Sequence, residues 1–86
     1  MTTEMSRAIG EAIRSARKEL GLTQKSLAAQ FGKKQNAVSA WEKGRAVPIL
    51  KILTQLIDEL GLDEARMMEL YKKQRALARA RRKGSR

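Results

Sequence analysis

The chain of 86 residues contains no cysteine and no histidine. Within this sequence, these absences exclude disulfides, a thiol nucleophile, a Cys/His zinc site and acid–base chemistry by imidazole. No apolar run approaches the ~20 residues that a membrane span needs, and the N-terminus shows no apolar signal segment. We therefore expect a cytoplasmic, nucleoid-associated protein that is not an enzyme and binds no cofactor or metal.

Proline and aromatic residues are also scarce. There is one proline, and aromatic side chains make up 3% of the chain, whereas hydrophobic residues as a group make up 42%. A core of leucine, isoleucine, valine, alanine and methionine suits a compact helical bundle. Since 86 residues support only one small core, the composition predicts a single all-α domain.

Acidic residues are few, and they are missing from the C-terminal segment. The formal net charge is +10; residues 1–62 carry +4 of it and residues 63–86 carry +6. From Lys72 onward there are eight basic residues and no acidic one. Such a segment attracts polyanions and adds salt-sensitive affinity, although the same charges could simply keep the protein soluble.

Apolar residues at three- and four-residue spacings predict five helices. We place them at about 4–20, 24–31, 35–43, 48–60 and from 64 into the basic segment. Gly21, Gly32, Gly44 and Gly61 end the first four helices. The predicted core stripes are Met5, Ile9, Ala12, Ile13, Ala16 and Leu20 in the first helix, and Ile49, Ile52, Leu53, Leu56 and Leu60 in the fourth. Pro48 suits the first turn of the fourth helix, because its missing amide would be unpaired there.

The third helix has two chemically different faces. Val38 and Trp41 share an apolar face, with Ala37 at its edge. The opposite arc consists of Gln35, Asn36, Ser39, Ala40 and Lys43. A helix of this kind follows another short helix across a tight turn at Gly32, on a strongly basic chain. This combination predicts a helix that enters the major groove of DNA.

Several motifs carry a resemblance to a known family. They are R-K-E-L-G-L-T-Q at 17–24, S-L-A at 26–28, F-G at 31–32, V-S-A-W-E-K-G at 38–44, and Pro48. The span from Ile9 to Leu62 resembles the helix-turn-helix domain of the lambda-repressor-like (Xre) family. The resemblance implies a five-helix fold, with helix two across the DNA backbone and helix three in the major groove. It also implies a homodimer on two half-sites about one helical turn, ~34 Å, apart.

The resemblance assigns contacts with double-stranded DNA to individual residues. It implies that Gln24 bonds a phosphate and braces the start of the recognition helix, unless it is simply solvated. Carboxamides can pair with adenine edges, so Gln35 and Asn36 would read bases; the alternative is that they touch only phosphate. Ser39 could reach a base or a phosphate, and Ala40 could approach a thymine methyl. The expected phosphate contacts are Lys33, Lys34, Lys43 and Arg45, which position the protein without reading sequence.

The resemblance also implies structural roles. Arg17 and Glu42 would form an ion pair that links helix one to the end of helix three. Trp41 faces away from the polar arc of its helix, so we expect it in the core rather than stacked on a base. Two positions depart from the family pattern, since Lys34 and Ile49 stand where polar residues usually cap helices three and four.

Further apolar residues are candidates for a homodimer interface: Leu50, Ile57, Met67, Leu70, Tyr71 and Leu77. The alternative is that they pack helix five onto helix four. We divide the chain into a DNA-binding domain at 1–71 and a basic extension at 72–86, whose last residues, 84–86, we expect to be disordered. The extension could follow the phosphates, enter the minor groove, or hold an acidic protein partner.

Together, these features predict a sequence-specific DNA-binding transcription regulator, which we interpret as a repressor that occupies an operator. The alternative is an antitoxin that binds a toxin and represses its own operon. A third interpretation, a sequence-indifferent architectural protein, accounts for the charge but not for Gln35 and Asn36.

Overall fold

The computed structural model describes residues 3–84, and these form five helices and no strand. The helices are α1 (Glu4–Glu19), α2 (Gln24–Gln30), α3 (Gln35–Glu42), α4 (Leu50–Leu60) and α5 (Glu64–Gly84). The predicted all-α helical bundle is confirmed. No helix in this part of the chain is long and apolar enough to cross a membrane.

Two helices begin with the same arrangement of hydroxyl groups. At α1, the Thr3 N–H donates to Ser6 Oγ (2.8 Å) and the Ser6 N–H donates to Thr3 Oγ1 (3.0 Å). At α2, the Thr23 N–H donates to Ser26 Oγ (3.0 Å) and the Ser26 N–H donates to Thr23 Oγ1 (2.9 Å). Serine thus takes the place that glutamate usually holds in a capping box. Both pairs satisfy amides that have no partner within the helix.

The start of α4 differs from the sequence prediction. The helix begins at Leu50 rather than at Pro48, and Ile49 is its N-cap, without a side-chain hydrogen bond. Pro48 is buried, whereas the Ile49 side chain is 64% exposed and does not belong to the core stripe. Leu20 was also expected in the core but is 54% exposed, because α1 ends one residue earlier and the chain turns away.

The core draws on all five helices. Its buried members are Ile9, Ile13, Leu27, Ala28, Val38, Trp41, Leu53, Leu56, Ile57, Leu60 and Met67. Trp41 lies in this core, on the side of α3 away from the polar arc. The predicted stripes of α1 and α4 therefore fail only at the helix ends, where a residue no longer faces the bundle.

Helix α1 is the centre of the packing and contacts α3, α4 and α5. It runs antiparallel to α5. The Thr3 hydroxyl donates to Gln74 Oε1 (2.5 Å) at one end, while Ser15 and Asp63 line the same depression at the other. Helix α5 thus packs chiefly on α1, and only to a smaller extent on α4, the partner that the sequence suggested.

Two glycines allow α1 to approach the end of α3 closely. A Cβ on Gly10 would lie 2.7 Å from the Glu42 carbonyl oxygen and closer still to that of Trp41. Gly44, at φ 75°, follows α3, and a Cβ there would lie 3.1 Å from the Arg7 Cα. No side chain fits between the two backbones at these points, so the position of α3 is fixed against α1.

Candidate nucleic-acid interface

One face of α3 borders a single depression whose lining residues are mostly polar or basic. Seven residues line it: Lys34, Gln35, Asn36, Ser39, Ala40, Lys43 and Arg45. Ser39 and Ala40, on its floor, are half-buried, and the other five residues are exposed. On the opposite face, Val38 is fully buried and Trp41 is 6% exposed. The two faces predicted from the helical period are thus separated in the structure.

The structure brings together seven of the nine residues that we predicted to contact DNA. The other two lie nearby. Lys33 follows Gly32 in the turn between α2 and α3 and is exposed, but it lines a different depression with Phe31 and Ile49. Gln24, the first residue of α2, is half-buried beneath the start of α3.

Gln24 connects the recognition helix to the rest of the bundle. Gln35 Nε2 donates to Gln24 Oε1 (3.3 Å), and Gln24 Nε2 donates to Glu42 Oε1 (3.0 Å). The carboxamide of Gln24 therefore joins the first and last residues of α3. A carboxamide nitrogen carries two hydrogens, so one donor of Gln24 stays available for a phosphate oxygen.

Arg17 and Glu42 form a buried, two-point ion pair. Arg17 Nε donates to Glu42 Oε2 (2.6 Å) and Nη2 donates to Oε1 (3.1 Å). Arg17 Nη1 also donates to the Leu22 carbonyl oxygen (2.8 Å). The side chains are only 10% and 3% exposed. Parallel bonds of this type fix direction as well as distance, so the pair holds the end of α3 against α1 and the loop after it.

These bonds form one chain from the core to the surface, through Arg17, Glu42, Gln24 and Gln35. Sequence reasoning found its two ends but missed the bond between Gln24 and Glu42. A carboxylate has about four acceptor positions, and Arg17 fills only part of them. The unfilled acceptor positions of Glu42 were the only indication of this bond in the sequence. Residues 24 and 42 lie too far apart for helical spacing to relate them.

The candidate interface residues do not form one exposed face. Ile57 is 5% exposed and Met67 is 1% exposed, so both are occupied in the core of the single chain. Leu70, Tyr71 and Leu77 are half-buried on the packed side of α5, and Leu50 is 43% exposed. Helical period identifies an apolar side, but it does not tell whether that side meets the same chain or another copy. Any interface between copies has to form without Ile57 and Met67.

The basic extension continues α5. The helix crosses the predicted boundary between residues 71 and 72 without a break and ends at Gly84, which we had expected to be disordered. Ser85 and Arg86, expected to be disordered as well, lie outside the described residues. The boundary is therefore a change in charge and not in secondary structure.

At the start of α3, the departure from the family pattern has a structural counterpart. Lys34 is the N-cap and makes no side-chain hydrogen bond to the first turn. The Ala37 N–H donates to the Lys34 carbonyl oxygen (3.0 Å), and the Gln35 and Asn36 amides lack a partner within the helix. Together with Lys34 itself, they make the start of the helix attractive to an anion.

The sequence profile of the helix-turn-helix family matches residues 13–67, which include α2, α3 and α4 entirely. This is more than half of the chain, and it contains every residue that we predicted to contact DNA. The match confirms the resemblance and the fold that it implied.

Curated proteins with similar sequences come from fungi and animals. Multiprotein-bridging factor 1 of Debaryomyces hansenii is 41% identical over 61 residues, which are 71% of this chain and 41% of that protein. Its namesake in Candida albicans is 42% identical over 55 residues, 64% of this chain and 36% of that protein. Endothelial differentiation-related factor 1 of Homo sapiens is 35% identical over 54 residues, which are 63% of this chain and 36% of that protein. The chain thus covers well under half of these relatives. No solved structure matches it significantly.

Proposed function

Since the chain belongs to the lambda-repressor-like (Xre) helix-turn-helix family, we propose that it is a sequence-specific regulator that binds double-stranded DNA with α3 in the major groove. One observation carries the proposal: amides, a hydroxyl and a methyl line a single depression on α3, with cations along its edge. A major groove presents donors, acceptors and thymine methyls to such a face. This role needs no catalytic step and no cofactor.

The depression divides into two kinds of contact. Gln35 and Asn36 read base edges from the first turn of α3, and Ala40 leaves room for a thymine methyl. Lys34, Lys43 and Arg45 surround them and bind phosphates on either side. The bond from Gln35 to Gln24 supports this division, because it restrains one reading side chain before DNA is bound. Restraint in the bound geometry lowers the entropy cost of binding.

We further propose that two copies bind together and repress transcription by occupying an operator. A helix of eight residues reads only a few base pairs, so a second half-site about one turn (~34 Å) away would supply the missing specificity. Light scattering of the protein on its selected duplex is expected to give two chains for each duplex. One chain for each duplex excludes the paired arrangement.

Selection of bound sequences from random duplex DNA, at physiological salt, tests the proposal directly. We expect enrichment of a motif with two half-sites. Placed at a promoter, the enriched motif should lower reporter expression when the protein is present, and raised expression would exclude repression. Absence of any enriched motif, with binding that collapses in salt, would contradict sequence-specific recognition and favour an architectural protein.

A second candidate function is to bring another protein to DNA. Two of the relatives are named multiprotein-bridging factors. In this chain, a groove between α2 and α4 supports the idea. It contains the half-buried Phe31 and Ile52 and the exposed Ile49, beside Lys33 and Lys51. An antitoxin that holds a toxin would be one example of such a protein. Retention of a specific protein by the immobilised chain, lost on Ile49→Ser and kept on Leu20→Ser, would favour this candidate.

A further inference from the structure

The basic segment of α5 has a defined direction relative to the bundle. Because α5 runs antiparallel to α1, Thr3 lies opposite Gln74, at the point where α1 begins. Helix α5 continues for ten more residues, to Gly84, which adds ~15 Å of helix. Of residues 75–80, only Leu77 and Ala78 are half-buried, and the other four are exposed. We call residues 75–84 the arm.

The arm leaves the bundle at the same end of α1 that packs against the end of the recognition helix. Gly44, which follows α3, lies against Arg7 of α1, where an added Cβ would be 3.1 Å from the Arg7 Cα. Thr3 is one helical turn, ~6 Å of rise, before Arg7, and it holds Gln74. The exposed phosphate-binding candidates Lys43 and Arg45 flank Gly44. The arm and this edge of the α3 depression therefore both lie near the start of α1.

The two sides of α5 carry different residues at this point. The side towards the bundle presents Tyr71, Gln74, Leu77 and Ala78, all of them half-buried. The exposed side has a shallow depression, and Lys72, Arg75, Ala76 and Arg79 line it. Three cations around a small residue, on one face of a helix, form a surface that an anion can approach closely.

The charge of the arm is unbalanced. The last acidic residue of the chain is Glu69, and it is paired with Lys73 (3.0 Å) one turn later. Beyond it, Arg75 and Arg79 stand four residues apart on the helix. Like charges at this spacing destabilise a helix by about 0.2–0.5 kcal/mol for each pair. A polyanion would relieve this repulsion, whereas a neutral partner would not.

We propose that the arm is a second DNA-binding element, which contacts phosphates flanking the site beyond the end of α3. The proposal rests on the function proposed above and extends it from the recognition helix to the flanks. At 3.4 Å for each nucleotide along a strand, ~15 Å of helix spans about four base pairs. The arm therefore enlarges the bound length of DNA without reading its sequence.

The test compares two variants of the full chain that lose the same charge. One is the arm variant Arg75→Gln/Arg79→Gln, and the matched control is Arg14→Gln/Lys18→Gln on the exposed side of α1. Both replace exposed cations with another strong helix former, and circular dichroism checks that both remain helical. Affinity for the selected duplex is measured between about 50 and about 200 mM salt. Each lost phosphate contact lowers the slope of log K against log salt by about 0.9.

We expect the arm variant to lose two contacts, so that its affinity falls about tenfold less than that of the unaltered chain over this salt range. The control should keep the full slope. A second measurement uses a duplex trimmed to the site. Removal of about four flanking base pairs should weaken binding by the unaltered chain and the control, but not by the arm variant.

Equal slopes for the arm variant and the control would overturn the proposal, and so would an effect of trimming that is the same for all three proteins. In that case, an acidic protein surface would be the remaining candidate partner for the exposed side of α5. If selection enriches no sequence, the function proposed for α3 fails, while the slope comparison on unselected duplex DNA still decides whether the arm binds phosphates.

Discussion

At the scale of single residues, the chain of bonds through Arg17, Glu42 and Gln24 joins the interior to the DNA-binding face. Its carboxylate is 3% exposed, and therefore its charge is stabilised mainly by the arginine and by the amide of Gln24. A buried ion pair adds little stability compared with apolar residues of similar volume, but removal of one partner leaves an uncompensated charge. The ion pair contributes mainly to geometry here, because its two hydrogen bonds fix the direction of both side chains.

Arg17→Ala is therefore expected to lower the free energy of unfolding by about 3–5 kcal/mol. We expect a value near the lower end of this range, because Gln24 still donates a hydrogen bond to the Glu42 carboxylate. Urea denaturation of the full chain measures the change. Arg14→Ala, at an exposed position of the same helix, serves as the control and should stay within about 0.5 kcal/mol of the unaltered chain. A loss below about 1 kcal/mol for Arg17→Ala would mean that the pair behaves like one at the surface.

Base-reading and phosphate-binding residues should separate in their effects on DNA binding. We expect Asn36→Ala to reduce discrimination at one position of each half-site by about 1–3 kcal/mol. Lys43→Gln should weaken binding to all sequences alike and lower the salt slope by about 0.9. Competition between the selected duplex and single-base variants measures both. If Asn36→Ala weakens all duplexes equally, Asn36 contacts phosphate, which is the alternative that the sequence left open.

At the scale of elements, the sequence predicted the five helices well. It predicted less well where each helix ends and which other helix it packs against. The apolar faces of α1, α3 and α4 follow from the 3.6-residue period, which persists through tertiary packing. The period says nothing about the first turn, so the start of α4 at Leu50 and the exposure of Ile49 were missed. It also does not identify what a face packs against, and α5 packs mainly on α1. In the candidate site, the polar arc of α3 could be predicted, but the Gln24–Glu42 bond, which joins distant residues, could not.

The close contact of α1 with α3 gives a prediction at this scale. Gly10→Ala should destabilise the fold by about 1–3 kcal/mol, because the added methyl group meets backbone carbonyl groups that have little room to move. Helix propensity alone would predict a gain of about 1 kcal/mol, so the sign of the change is informative. Thermal unfolding measures it, with Ser15→Ala at an exposed site of α1 as the control. A stabilised Gly10→Ala variant would show that the two helices can separate easily.

At the scale of the whole molecule, charge is the dominant property. A net charge of +10 on 86 residues makes the folded chain repel itself. Only two ion pairs, Arg17–Glu42 and Lys73–Glu69, offset this repulsion in the described residues. A bound polyanion would supply the missing negative charge.

Salt should consequently act in opposite directions on stability and on binding. We expect the thermal midpoint of the protein alone to rise between low and moderate salt, as repulsion is screened over a Debye length of about 10 Å at 0.1 M. Affinity for DNA should fall over the same range. Sodium chloride titrations of both properties provide the measurement. A midpoint that falls with salt would mean that attraction outweighs repulsion in the folded chain.

The hydroxyl pair at the start of α2 has a consequence for binding. Thr23 and Ser26 close this helix end with uncharged groups, next to Gln24. A glutamate at position 26 would also cap the helix, but in the proposed complex it would place a negative charge close to the DNA backbone. Serine instead caps the helix without adding a negative charge. In the proposed complex, the start of α2 therefore faces the phosphates without a negative charge of its own.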